Sequence, residues 1–177
     1  MKGIVFTKFF EMIEEENDYE MVDSILEEVQ PESGGSYTAV GTYSHAEMVN
    51  LVVAYAQKTG VAVDVALHKF GRYLFDVFYN NYQAFFPPDQ TAFEFLKSID
   101  GYIHIEVAKL YPDAQLPRFE TEQTEPGVLV MTYISERKMA DLAYGLIEKT
   151  LEHFKENKSI SKEILAADGS HVKFTIK

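Results

Sequence analysis

At 177 residues, 46% of them hydrophobic, the chain is long enough for one domain with a substantial core and too short for two of ordinary size. It contains no cysteine, which excludes disulfides, thiolate-held metal and cysteine nucleophiles. A formal net charge of −12 argues against nucleic acid or an anionic membrane surface as partner, and no apolar run approaches the roughly 18 residues that span a bilayer.

No secretory leader pattern opens the chain, so a soluble, cytoplasmic protein is expected. Phe6, Phe9, Phe10 and Ile13 recur at helical spacing and predict a first helix ending near the acidic stretch 14–18. A second short helix points Val22, Ile25, Leu26 and Val29 inward, and residues 31–36 form a loop. Ser44 and Glu47 have capping-box spacing ahead of Met48, Leu51, Val52 and Tyr55, with Gly60 closing that helix. A fourth helix carries Leu67, Phe70, Gly71, Leu74, Phe75 and Phe78 on one face until Pro87 and Pro88.

A fifth helix runs from there to about Leu110, stopped by Pro112, and carries His104. Gly101 within it points either to a bend or to close packing. From Leu116 the period becomes two, a turn falls at Glu125-Pro126-Gly127, and Val128 to Ser135 is the partner strand. Met139 to Phe154 is a long amphipathic helix. Ile160 to Ala167 and His171 to Ile176 flank Asp168-Gly169, a strong hairpin signal. The expected fold is α+β: an N-terminal helical subdomain packed on a C-terminal antiparallel sheet of about four strands, with two further long helices. Residues 1–60 would form the helical front and 61–177 the α/β part of a single domain.

Two features carry chemistry. On an extended segment Tyr133, Ser135 and Arg137 share one face and present two hydroxyls and a guanidinium, a comb suited to carboxylates. Alternatively, the segment is a solvated strand face with Ser135 capping the next helix. On a regular helix Phe93, Leu96, Asp100, His104, Val107 and Tyr111 fall near one line, which puts His104 on a mostly apolar stripe. Alone, such a histidine is a core residue; paired with the comb, it suggests a flat iron cofactor bearing two carboxylates, which is haem.

His104, Pro117, the Tyr133-x-Ser135-x-Arg137 run and the opening Met1-Lys2-Gly3 resemble the haem-nitric oxide/oxygen binding (H-NOX) family, related to the sensor domain of soluble guanylate cyclase. The resemblance covers nearly the whole chain. It implies haem b (iron protoporphyrin IX) between the two parts, His104 as axial ligand, propionates gripped by Tyr133, Ser135 and Arg137, and Pro117 pressing on the porphyrin. By spacing alone, Pro117 can also be read as strand-entry punctuation. The resemblance further implies a stand-alone bacterial-type gas sensor without catalysis of its own. Its partner in trans would be a histidine kinase or a cyclic-dinucleotide enzyme.

By the same resemblance, oxygen-holding relatives place a tyrosine where this chain has Leu142, a supporting asparagine at Leu74 and a tryptophan at Phe9. A distal wall of Val5, Phe9, Leu74, Phe78, Leu142 and Leu146 has no donor for bound dioxygen. It is therefore expected to favour nitric oxide, with carbon monoxide as a further ligand. Nitric oxide opposite His104 would weaken the iron–imidazole bond, and the histidine's helix would relax. An oxygen-binding sensor, a haem peroxidase or oxygenase, and a cofactor-free interaction module are the rival readings. The peroxidase would need a distal acid–base group that this wall does not supply.

Overall fold

Four helices open the computed structural model, which describes residues 1–177. α1 (Gly3–Glu16) buries Phe6, Phe9, Met12 and Ile13 completely, as its period of three to four requires. Its first turn lies tight against the 38–43 loop: a Cβ on Gly3 would sit 1.9 Å from the Thr38 carbonyl oxygen. α2 (Tyr19–Val29) is capped by the Asp18 carboxylate, which accepts the Met21 N–H at 2.9 Å.

α3 (His45–Thr59) is capped by Ser44 and closed by Gly60 at φ 71°. The expected capping box does not form. Glu47 instead accepts hydrogen bonds from the Ser33 hydroxyl at 2.6 Å and the Tyr37 hydroxyl at 2.7 Å. A carboxylate this buried needs donors, and the loop before α3 supplies two of them.

α4 (Val63–Asn81) stops short of the two prolines, and a 3-10 turn at Gln83–Phe85 fills the gap. α7 (Ala140–His153) crosses α4 at close range. A Cβ on Gly71 would lie 2.1 Å from the Leu142 carbonyl oxygen, and one on Gly145 would lie 2.0 Å from that of His68. Only glycine permits this crossing. Arg72 of α4 reinforces it with two hydrogen bonds to Glu152, each 2.9 Å, and a third to Glu148.

Between these helices lie α5 (Ala92–Ser98), a π-helical turn (Ile99–Ile103) and α6 (His104–Leu110). The sheet comprises β1 (Arg118–Glu125), β2 (Val128–Ile134), β3 (Ile160–Ile164) and β4 (His171–Ile176) in the antiparallel order β1-β2-β4-β3. Gly127 takes φ 84° in the first turn. The second connection is longer than a two-residue turn: β3 ends at Ile164, the N–H groups of Leu165 and Ala166 both reach the His171 carbonyl, and Gly169 takes φ 78°.

Two hydrophobic cores result. One gathers α1 to α4 and Met139, and the other α5, the inner sheet face and the sheet side of α7. Leu142 and Leu146 of α7 pack on the first, while Ala143 and Ile147 belong to the second, so α7 joins the two.

Candidate functional site

His104 follows a break in helical hydrogen bonding. Its N–H bonds to the Ile99 carbonyl, five residues back, instead of four. Gly101 sits in this π turn with nothing within 4 Å of a Cβ position, which leaves no packing reason for the glycine. The extra residue divides the expected straight stripe: Phe93 and Leu96 are buried, whereas α6 buries no residue and leaves Ile105 50% and Leu110 62% exposed.

The His104 side chain is 18% exposed, with its ring 5.9 Å from that of Phe119. Nδ1 lacks a hydrogen-bond partner and lies 3.5 Å from Asp100 Oδ1, which itself accepts the Phe119 N–H at 3.1 Å. Burial lowers the imidazole pKa despite the nearby Asp100 carboxylate, favouring the neutral ring that an iron ligand must be. Asp100 shares the His104 stripe in the sequence, but its contact with Phe119 is not legible there. The i, i+4 spacing of Asp100 to His104 was the available signal, while Phe119 is brought near only by the sheet.

The comb is not an extended face. β2 ends at Ile134 and the chain turns: the Lys138 N–H bonds to the Ser135 carbonyl at 3.3 Å, and Ser135 Oγ accepts the Arg137 N–H at 3.2 Å. A polar run at a sheet edge finds its hydrogen bonds locally once strand pairing ends. Ser135 caps this turn and not α7, which lacks a side-chain cap. Tyr133 is buried on β2, and its hydroxyl oxygen accepts the Met139 N–H at 3.0 Å, leaving the phenolic proton free to donate.

Arg137 is half-buried without an anionic side-chain partner, and burial pulls its guanidinium below the ordinary value. Its charge is felt by the Met1 amino group, whose pKa is lowered first by burial and then by Arg137. Arg137 also borders a cavity of about 340 Å³ shared with Val52, Leu67 and Met139, of which His104 is not a wall. Pro117, half-buried, precedes β1 on the same inward face as Phe119 and Thr121.

Val5, Phe9, Leu74, Phe78, Leu142 and Leu146 all lie in or on the first core, and none has a side-chain hydrogen-bond donor. Tyr144 is committed elsewhere, its hydroxyl donating to the Ile160 carbonyl at 3.4 Å and its ring against Phe174. This wall is linked to the His104 segment along one edge by the aromatic chain Phe78, Tyr82, Phe85 and Tyr102, with successive centroids 6.0 to 6.3 Å apart. Elsewhere, Lys2 and Thr42 hold Asp113, on the loop after α6. His153 is half-buried among Phe75, Tyr79, Phe86 and Phe154, because α7 ends against the α4–α5 connection.

These residues fit haem on three observations: a half-buried imidazole with an orphaned Nδ1, a half-buried guanidinium without a carboxylate, and a buried phenol with a spare proton. No cluster of three or more histidine, aspartate or glutamate residues competes as a bare metal site.

A family model described as Haem-NO-binding matches residues 2–162. No curated protein matches. The Fe(II) unliganded H-NOX protein from K. algicida superposes with a TM-score of 0.95 at 39% identity, over 100% of this chain and 96% of that one. A triply substituted H-NOX protein from S. oneidensis in the Fe(II) ligation state gives 0.91 at 24% identity over 100% and 95% of the two chains. The S. oneidensis H-NOX protein in the Fe(II)NO state gives 0.88 at 22% over 100% and 98%; these two show the fold alone.

Proposed function

The chain belongs to the Haem-NO-binding (H-NOX) family, and from that premise we propose that it is a haem-based nitric oxide sensor. The family is a sensor domain and not itself a catalyst. In this reading His104 would bind the iron of haem b, and Tyr133, Ser135 and Arg137 would hold its propionates. Ferrous haem bound there would supply the iron that takes a diatomic gas.

The observation carrying the nitric oxide reading is the chemistry of the distal set. Val5, Phe9, Leu74, Phe78, Leu142 and Leu146 offer no proton to a polarised dioxygen, and the neighbouring phenol of Tyr144 is already bound to Ile160. Nitric oxide and carbon monoxide do not require that proton. An S. oneidensis relative has been solved in Fe(II)NO and Fe(II)CO states, which agrees with ligands of this class.

α6 follows a π turn and buries no residue, so the segment carrying His104 is lightly packed and suited to move. Such movement would reach a partner in trans, a histidine kinase or a cyclic-dinucleotide enzyme, in the cytoplasm. No helix is long and apolar enough to cross a membrane. The test is the absorption spectrum of the reduced protein under argon, in air, and with nitric oxide. A Soret band that shifts with nitric oxide but forms no stable oxygen complex supports the reading, a persistent oxygen complex replaces it with an oxygen sensor, and the absence of haem removes it.

A further inference from the structure

We propose that Asp168 and Lys138 form a clamp that positions Arg137 for the cofactor, an inference that rests on the haem reading above. Asp168 lies in the β3–β4 connection, far in sequence from the Tyr133 to Arg137 run. Beyond the last β2–β4 pair, Ile134 with His171, the Ser135 N–H still reaches across to the Ser170 carbonyl at 2.9 Å. The 168–171 and 135–138 turns thus lie side by side.

One carboxylate ties them together. Asp168 Oδ1 accepts the Ser170 N–H at 3.0 Å and the Ser170 hydroxyl at 2.7 Å, which fixes its own turn. Its Oδ2 lies 3.1 Å from Lys138 Nζ. The Ser170 and Lys138 contacts together hold this carboxylate well below its usual range.

Lys138 has φ 57°, a left-handed conformation that a lysine adopts only when its surroundings enforce it. It directly follows Arg137, whose N–H is held by Ser135 Oγ, and precedes Met139, whose N–H is held by the Tyr133 hydroxyl. The Lys138 N–H itself bonds to the Ser135 carbonyl at 3.3 Å, so the peptide units on both sides of Arg137 are pinned, and the only restraint supplied by Lys138's own side chain is the ion pair. Both partners are about half exposed, so as a stabilising contact the pair contributes little. Its effect is to specify one turn geometry beside an otherwise unpaired guanidinium.

Asp168→Asn removes the charge but keeps the oxygen that Ser170 needs, and Lys138→Gly removes the side chain while suiting the positive φ. Haem loss to an excess of apomyoglobin is followed for both, together with the melting midpoint and amide exchange at Arg137 and Lys138 in the apoprotein. The clamp predicts three- to tenfold faster haem loss and faster exchange at the two amides, with the melting midpoint unchanged or raised. Lys138→Arg should behave as the parent. Parent-like haem loss in both variants overturns the clamp while leaving the haem reading intact. A parent protein that takes up no haem overturns the haem reading, and the positioning role with it.

Discussion

The buried Tyr133 hydroxyl receives the N–H of Met139 across the turn that separates β2 from α7. This bond sets where α7 begins and leaves the phenolic proton for a carboxylate. Tyr133→Phe leaves a buried N–H without an acceptor and should cost about 1–3 kcal/mol in the apoprotein. Urea unfolding of apoprotein and parent measures it; a difference near zero would mean that Met139 finds another acceptor.

His104→Gly should yield a protein without haem, or one that binds haem only when imidazole is added to fill the ligand position. The motivation is the half-buried ring whose Nδ1 has no partner and whose pKa burial lowers. Parent-like haem content and an unchanged ferrous spectrum would assign the ligand to another residue.

Arg137→Ala should speed haem loss more than Ser135→Ala. The first leaves propionate charge without a cation inside a partly desolvated site, worth roughly 1.5–3 kcal/mol for a charge-assisted bond, or about ten- to hundredfold in rate. The second removes one neutral acceptor from the Arg137 N–H, at about 1 kcal/mol. Transfer to an acceptor globin ranks the two, and equal rates for both variants and the parent would take these residues out of the site.

Gly71→Ala and Gly145→Ala should each destabilise the fold by about 1–3 kcal/mol or more, because each Cβ would meet a carbonyl oxygen of the facing helix near 2 Å. Thermal melting gives the answer. Because Leu142 lies at the Gly71 contact, the same variants should also alter gas affinity, which laser photolysis of the carbon monoxide complex would read.

Leu142→Tyr introduces a hydroxyl into the proposed distal wall. Leu74 cannot orient it, so partial oxygen binding is expected, accompanied by destabilisation of about 1–3 kcal/mol from a poorly satisfied polar group. A fully stable oxygen complex in this variant would show that some other group orients the phenol.

Periodicity alone places most of the fold. Phe6, Phe9 and Ile13 announce α1, Gly60 ends α3, Gly127 turns β1 into β2, and the change from helical to alternating spacing near Leu116 marks the start of the sheet. These are local properties, set by side-chain spacing and by backbone conformations that few residues adopt. The residue types of the candidate site are legible too, since a histidine, a phenol and a guanidinium are recognisable in a family pattern wherever they fall.

Geometry between distant segments is not local, and there the tertiary structure decided. Glu47 abandoned its capping box because the preceding loop brought Ser33 and Tyr37 to it. The helix bearing His104 takes a π turn, with the Asp100 side chain tied to the Phe119 N–H on β1. The Tyr133 to Arg137 run reads as an extended comb because alternation assumes a strand. Pairing of β2 with β4 ends at Ile134, and the freed backbone folds into a turn whose restraints come from Tyr133, Ser170 and Asp168. Spacing along a chain records which face a residue can take; where pairing stops, only the neighbouring segment determines which face it does take.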